Sequence, residues 1–306
     1  MATPAQMQAQ QSTAKAAAWM AGWLTLMLVI AVAGREATRE LAVFQVMELR
    51  AVIGLFLLWP MVRSAGGVAA LKTQRLRDHA TRNLVHYAAQ YAWFAALTMI
   101  PLAQVVAIEF TMPIWIILLA AVFLGERITP WKVLAVALGL LGVGLIVRPS
   151  SAGLSPGQLV ALAAAVGFAI SVTMVKSLTR SDSALAIIFW MLVVQSLLGL
   201  LPALWVWRWP SAVSWGWVAV VAFCGTFSHY CMARAMRHAE ATVVMPMDYL
   251  RVPLTALAGW LVYAERLDLF TVAGTVLILA GNLLNIRRAG SAQRPNSASH
   301  RQSSSG

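Results

Sequence analysis

Charge is what this sequence has least of. Among its 306 residues 11% are Asp, Glu, Lys or Arg and 60% are hydrophobic, against about 25% charged residues in a soluble domain. That excludes a globule wetted on all sides, and most of the chain must meet something other than water. Cysteine is nearly as scarce. Cys224 and Cys231 stand seven apart in one apolar run, about two turns apart along a helix and so too far to bridge, and without the Cys-x-x-Cys spacing of a metal or redox site. His86 and His229 fall on different runs with no Cys or acid at ligand spacing, so no metal is expected. A phosphate-binding G-x-x-x-x-G-K-[ST] loop is missing, which argues against ATP-driven pumping. The loops are too short to hold a cofactor, so none is expected. No basic stretch and small-residue cleavage site precede the first apolar run, so no removable signal peptide is expected.

What the chain does have is apolar length. Runs of about 17–25 residues, the length that crosses a hydrocarbon core, fall at 17–34, 41–62, 83–99, 101–124, 130–147, 156–176, 184–205, 213–233, 241–263 and 268–286. The net charge of +12 is better explained by loops than by nucleic acid. If the chain crosses ten times, 16 of the 23 Lys and Arg share a side with both termini and the Arg63–Arg82 loop. Five lie opposite (Arg35, Arg39, Arg148, Arg208, Arg266), and Arg50 and Arg251 lie inside spans. The positive-inside rule then puts both termini in the cytoplasm of a multi-pass inner-membrane protein. Residues 1–16 form a short N-terminal tail, and 287–306 form a Ser- and Arg-rich tail too polar to pack. Trp205, Trp207, Trp209, Trp215 and Trp217 read as an interfacial aromatic belt.

The spans repeat. Glu109 falls on Asp248, Glu126 on Glu265, Arg127 on Arg266 and Trp131 on Phe270 at one offset of 139, and Pro113 falls on Pro253 with a slip of one. The chain is therefore two halves of one design, 17–147 and 156–286, joined by a linker at 148–155. Five spans per half is odd, so the halves enter the membrane in opposite senses. The expected fold is all-α and polytopic: ten transmembrane helices as two inverted five-helix repeats, with a substrate site near the midplane between them. Small residues at Ala135, Gly139 and Gly142, echoed by Gly274 and Gly281, let helix backbones approach closely.

These landmarks carry a family resemblance. Ala96-Leu97, Pro101-Leu102-Ala103, Pro113, Leu124-Gly125-Glu126-Arg127, Trp131, Gly139 and Gly142 resemble the EamA repeat, and Ala235, Pro253, Glu265-Arg266, Phe270, Gly274 and Gly281 its second copy. That is the drug/metabolite transporter superfamily. Arg50 resembles the family's usual Arg of the second helix. The resemblance implies ten helices, cytoplasmic termini and carriage of small metabolites. Asp248 and Arg251 depart from it, because apolar residues are commoner there.

Ionisable side chains inside a bilayer cost at least ~2.5–3.5 kcal/mol each at mid-helix, so they are rarely idle. Five lie within spans: Glu48, Arg50, Glu109, Asp248 and Arg251. Asp248 and Arg251, three apart, share a helical face. Glu48 and Arg50, two apart, point in different directions, so Arg50 is expected to reach an acid on another helix, Glu109 being the candidate. The five sum to −1, which leaves one acid to be protonated or to await a cation. Glu109 stands four residues before Pro113, whose ring clashes with the carbonyl of residue 109, so this helix is expected to bend at Glu109. Gln90, Trp93, Trp115, Trp190, His229 and Tyr249 also lie deep and complete the candidate substrate-binding set. Charges that merely lock helices, and rings that merely pack, are the bland alternative for every member.

Three functions compete. A secondary transporter of a small organic metabolite, an amino acid or a related amphiphilic or cationic compound, accounts for the inverted repeat, the matched prolines and the buried charges. Export is the expected direction, and a coupling proton and a homodimer are both compatible with it. An intramembrane enzyme would use Glu109, Asp248 or His229 for acid–base work, but no nucleophile–base pair stands at recognisable spacing. A structural membrane protein would use the charges only as locks. Topology is open to direct test: in a cysteine-free background, a cysteine at Ser151 should react with impermeant reagents in intact cells, and cysteines in the Arg63–Arg82 loop or at Ser297 should not. Labelling at 297 but not at 151 would sink the ten-span arrangement.

Overall fold

The computed structural model describes residues 4–124, 130–147, 155–178, 181–238, 247–248, 250–265 and 268–292. They form eleven α-helices, numbered here in chain order: α1 Pro4–Glu40, α2 Val43–Ser64, α3 Leu76–Met99, α4 Leu102–Glu109, α5 Met112–Leu124, α6 Pro130–Val147, α7 Pro156–Leu178, α8 Ala184–Trp205, α9 Ala212–His238, α10 Arg251–Tyr263 and α11 Leu269–Ala292. A single 3-10 turn, Gly67–Leu71, separates α2 from α3. The tail beyond residue 292, Glu126, Arg127, Arg266 and Tyr249 lie outside the described residues.

Polarity is arranged outside-in. Phe56 and Leu201 are 75% and 76% exposed, whereas Gln45, Asn83 and Arg50 are at most 2% exposed. Such a surface is tolerable only against lipid, and backbone groups there must be satisfied within helices. Five described segments are long and apolar enough to span alone: Ala14–Glu40, Val43–Ser64, Pro156–Val175, Ala184–Trp205 and Ala212–Met232. Trp205 and Trp209, strongly exposed, lie at the α8–α9 turn as a belt would require.

Contacts between turns fix how the crossings alternate. At one face Glu40 accepts from Ser211 N–H and Oγ at 2.7 Å, Arg208 N–H donates to Gln45 at 3.2 Å, and Tyr263 donates to Glu36 at 2.8 Å. At the other, Thr73 donates to Asp182 at 2.7 Å, Arg75 donates to the Ser177 carbonyl at 2.7 Å, and Trp190 donates to the Leu71 carbonyl at 2.9 Å. These two sets agree with ten alternating crossings, α4 and α5 together making one. At the second face His79 Nε2 also meets Asp182 at 2.6 Å. Burial pushes the Asp182 carboxyl up, but hydrogen bonds from His79, Thr73 and Ser181 outweigh it and hold it below the ordinary carboxylate value.

The helix pairings obey a two-fold exchange of halves. α1 lies along α9, and the equivalent pair is α7 along α3. α2 meets α8 and α6 meets α11, each a helix against its own counterpart, and α4 meets α10, the first half of one broken crossing against the second half of the other. The chain is thus an all-α polytopic membrane protein built from two inverted five-helix repeats. Two helices extend further than their hydropathy suggests. The charged stretch Arg35–Glu40, read from sequence as a turn, is the last turn and a half of α1. Arg82, read as the end of a loop, lies almost two turns inside α3. The charges at the end of α1 have partners elsewhere in the protein, Glu265 for Arg35, Tyr263 for Glu36 and Ser211 for Glu40, so that helix need not stop where apolarity does; Arg82 donates to Asn83 beside it on α3.

α10 ends on Ala264, the one described non-glycine with positive φ, at 53°. Ala264 N–H reaches the Trp260 carbonyl and Glu265 N–H the Gly259 carbonyl, each at 3.1 Å, and the first of these is the bond of an αL closure. It swings Glu265 back so that its carboxylate pairs with Arg35 of α1 and accepts from Leu102 N–H, at the start of α4, at 3.0 Å. These contacts reach from the second repeat to the first.

The small-residue stripe brings α6 against α11. A Cβ on Gly142 would come within 2.5 Å of the Gly274 carbonyl. Gly142→Val should therefore destabilise the protein by about 1–3 kcal/mol, the usual cost of overpacking, read as a lower melting temperature in detergent. An unchanged melt would show that this contact is not close-packed in the membrane protein.

Candidate functional site

The fourth crossing breaks rather than bends. α4 ends at Glu109, Phe110 and Thr111 make a turn, and α5 restarts at Met112. Pro113 lies in the first turn of α5, where a missing N–H costs nothing. The second repeat matches this: Met247 and Asp248 are helical, Leu250 is in a turn, and α10 begins at Arg251. The break comes before the proline because the first turn of a helix is where proline is best tolerated.

The two breaks face each other across the repeats and bring three charges together. Arg251 Nη2 lies 2.9 Å from Glu109 Oε1 and 3.5 Å from Asp248 Oδ2. The Trp93 indole donates to Glu109 Oε2 at 2.9 Å, and the Trp23 indole to Asp248 Oδ1 at 2.6 Å. The Arg251 guanidinium also lies over the Phe110 ring, 4.9 Å from its centroid. Arg251 is buried, and its Nε and Nη1 have no hydrogen-bond partner among the described residues. Glu109 stands at the C-terminus of one helix and Arg251 at the N-terminus of another, each with the local dipole against it. Their pairing offsets both. Two carboxylates around one guanidinium leave the cluster with a formal charge of −1.

Glu109 was therefore mispaired by spacing alone. Its partner is Arg251, and the guanidinium expected to reach it, Arg50, goes elsewhere. Arg50 donates to Gln90 at 2.7 Å and to Gln195 at 3.3 Å. A Cβ on Gly225 would meet its Nε at 2.5 Å, so glycine makes the room for this buried side chain. Glu48 leaves the helix in another direction, as the two-residue spacing requires, and accepts from Ser196 at 2.6 Å. The remaining candidates separate. Trp93 joins the charge cluster, whereas Trp115 donates within its own turn to Thr111 at 3.0 Å and Trp190 is held by the Leu71 carbonyl. His229 lies 5.9 Å, ring to ring, from Trp23 and lines a cavity of about 470 Å³ walled by α2, α3, α7, α8 and α9.

Sequence reasoning missed Trp23 and Arg82. Trp23 lay in the first apolar run, where an inward-facing indole and a lipid-facing one read alike. Arg82 lay at a boundary drawn by hydropathy. Among the described residues no group of three or more His, Cys, Asp or Glu gathers as metal ligands would.

Removing Arg251 should be the costliest single change here. Arg251→Gln leaves two buried carboxylates unpaired and should cost about 3–5 kcal/mol. Asp248→Asn alone should cost less, and the double variant Asp248→Asn with Arg251→Gln should melt above Arg251→Gln. Thermal unfolding in detergent checks the order; Arg251→Gln as stable as the parent would show that the cluster carries no structural load.

Comparison with known proteins supports this architecture. The EamA-like transporter family matches residues 15–148 and again 155–287. A riboflavin transporter of Brucella anthropi is 30% identical over 245 residues, 78% of this chain and 85% of that one. The pseudopaline exporter CntI of Pseudomonas aeruginosa is 30% identical over 251 residues, 80% and 86% of the two chains. An S-adenosylmethionine uptake transporter of Rickettsia prowazekii is 26% identical over 268 residues, 86% and 91%. One crystal structure shares the fold with a TM-score of 0.63 at 19% identity, over 93% of this chain and 99% of that one. With both halves matched and the repeat visible in the helix pairings, the chain belongs to the EamA-like transporter family.

Proposed function

We propose that the protein is a secondary carrier of a small amphiphilic metabolite related to amino acids, working by alternating access between the bodies 17–147 and 156–286. The observation that carries it is the Glu109–Arg251–Asp248 cluster, buried where both repeats break their helices. Broken helices at the repeat interface are where carriers of this kind bind substrate and coupling ion. The net −1 of the cluster suits an ammonium group or a coupling proton; a wholly cationic substrate fits less well than the sequence suggests, because Arg251 already neutralises one of the two acids. The charge bias of the loops supports an inner-membrane location with cytoplasmic termini, and export remains the proposed direction. Two of the relatives named above carry their substrates in opposite directions, a Rickettsia uptake transporter and a Pseudomonas exporter. The relatives named above are transporters, which supports a carrier over an enzyme.

The test is flux into and out of liposomes that contain only this protein, offered tryptophan, methionine, S-adenosylmethionine and riboflavin. At least one should move saturably, and Glu109→Gln should lower that flux tenfold or more or abolish its dependence on an imposed pH gradient. No flux above protein-free liposomes for any of them would refute carriage of this class; unchanged flux for Glu109→Gln between pH 5.5 and 8 would remove Glu109 from the mechanism.

A further inference from the structure

The cavity lined by His229 has a chemistry of its own. Arg82 of α3 and Arg234 and His229 of α9 line it, and none of its lining residues is an Asp or Glu. Arg82 is 6% exposed. Its Nη1 donates to Asn83 at 2.7 Å, and among the described residues its Nε has no hydrogen-bond partner and no carboxylate pairs with it. Arg234 lies over the rings of Trp19 and Tyr230, at 5.2 and 6.0 Å, and its Nε too has no hydrogen-bond partner among the described residues. Thr226 adds a buried hydroxyl without a partner among the described residues. The rest of the wall is apolar: Leu58 and Met61 from α2, Ile188 and Met191 from α8. A buried cation without a counter-charge is costly, and a guanidinium is the group best shaped to take a carboxylate or phosphate with two parallel hydrogen bonds.

We propose that this cavity receives the anionic end, carboxylate or phosphate, of a soluble amphipathic organic ligand, with Arg82 and Arg234 as its counter-charges, Thr226 as a further donor and the apolar wall around its body. The site rests on the carrier reading only in taking the cavity as part of the route. His229, on the cavity wall, touches Trp23, which in turn holds Asp248. A zwitterion could then set its anionic end against Arg82 and Arg234 and its ammonium toward Glu109 and Asp248.

The test uses the purified full chain in neutral detergent and four matched probes: 3-phenylpropionate, phenyl phosphate, the uncharged 3-phenylpropanamide and the cation phenethylamine. The two anions should raise the melting temperature saturably and the other two should not, since a ligand stabilises in proportion to its saturation. Arg82→Gln and Arg234→Gln should each weaken anion binding at least tenfold, with Arg82→Lys intermediate. Ligand-free Arg82→Gln should melt no lower than the parent, because it removes an uncompensated buried charge; a lower melt, with anion affinity unchanged, would make Arg82 structural and overturn the proposal. Equal stabilisation by the amide, or none by either anion, would overturn it as well. Stabilisation by phosphatidylglycerol alone, dependent on Arg82, would assign the cavity to a lipid headgroup and also defeat it. Anions that bind while liposomes show no flux would sink the carrier reading and leave the site standing. A neutral or cationic solute carried without any anion effect would do the reverse.

Discussion

Hydrocarbon offers no hydrogen bonds, and the rest of this protein follows from that constraint. Every polar group that leaves water must find its partner inside the protein. Helices satisfy most of the backbone, and the exceptions are the two places where the helices stop mid-crossing. There the chain supplies charge: Glu109 at one break, Asp248 and Arg251 at the other, with the indoles of Trp93 and Trp23 filling remaining acceptor positions. None of these groups is affordable alone at that depth. The breaks therefore have to face each other, and that requirement helps to fix how α4 and α10 meet.

A second polar layer is built differently. Arg50 rests on two amides, Gln90 and Gln195, and on the space left by Gly225. Glu48 rests on Ser196. Neutral partners leave a charge uncompensated where an ion pair would cancel it, and among the described residues Arg82 carries the same condition to the cavity wall. The interior is thus divided: an acidic cluster where the repeats break, and a basic lining where α3 and α9 meet the cavity.

Much of this architecture was legible from residue spacing. The 139-residue offset placed Glu109 and Asp248 as equivalents, and the proline rule placed a disruption between Glu109 and Pro113; both are backbone statements that need one helix at a time. Partners across helices were not legible. Arg50 was within imaginable reach of Glu109, but rotation of α2 about its axis sends it to α3 and α8 instead. Hydropathy also misjudged where α1 and α3 end, since Arg35, Glu36 and Arg82 are charged yet helical. Arg35 and Glu36 are affordable because of Glu265 and Tyr263, neighbours that a one-dimensional window does not see.

Glu265 shows what such economy implies for motion. One carboxylate, held by the turn at Ala264, joins α1 through Arg35 and the first amide of α4 through Leu102. Parting these elements means giving up an ion pair and a helix cap together, so intermediate degrees of opening recover neither. A seal made this way behaves as a latch with two settings: it suppresses slow leakage through half-open states, and it concentrates the activation barrier for exposing that face in one step.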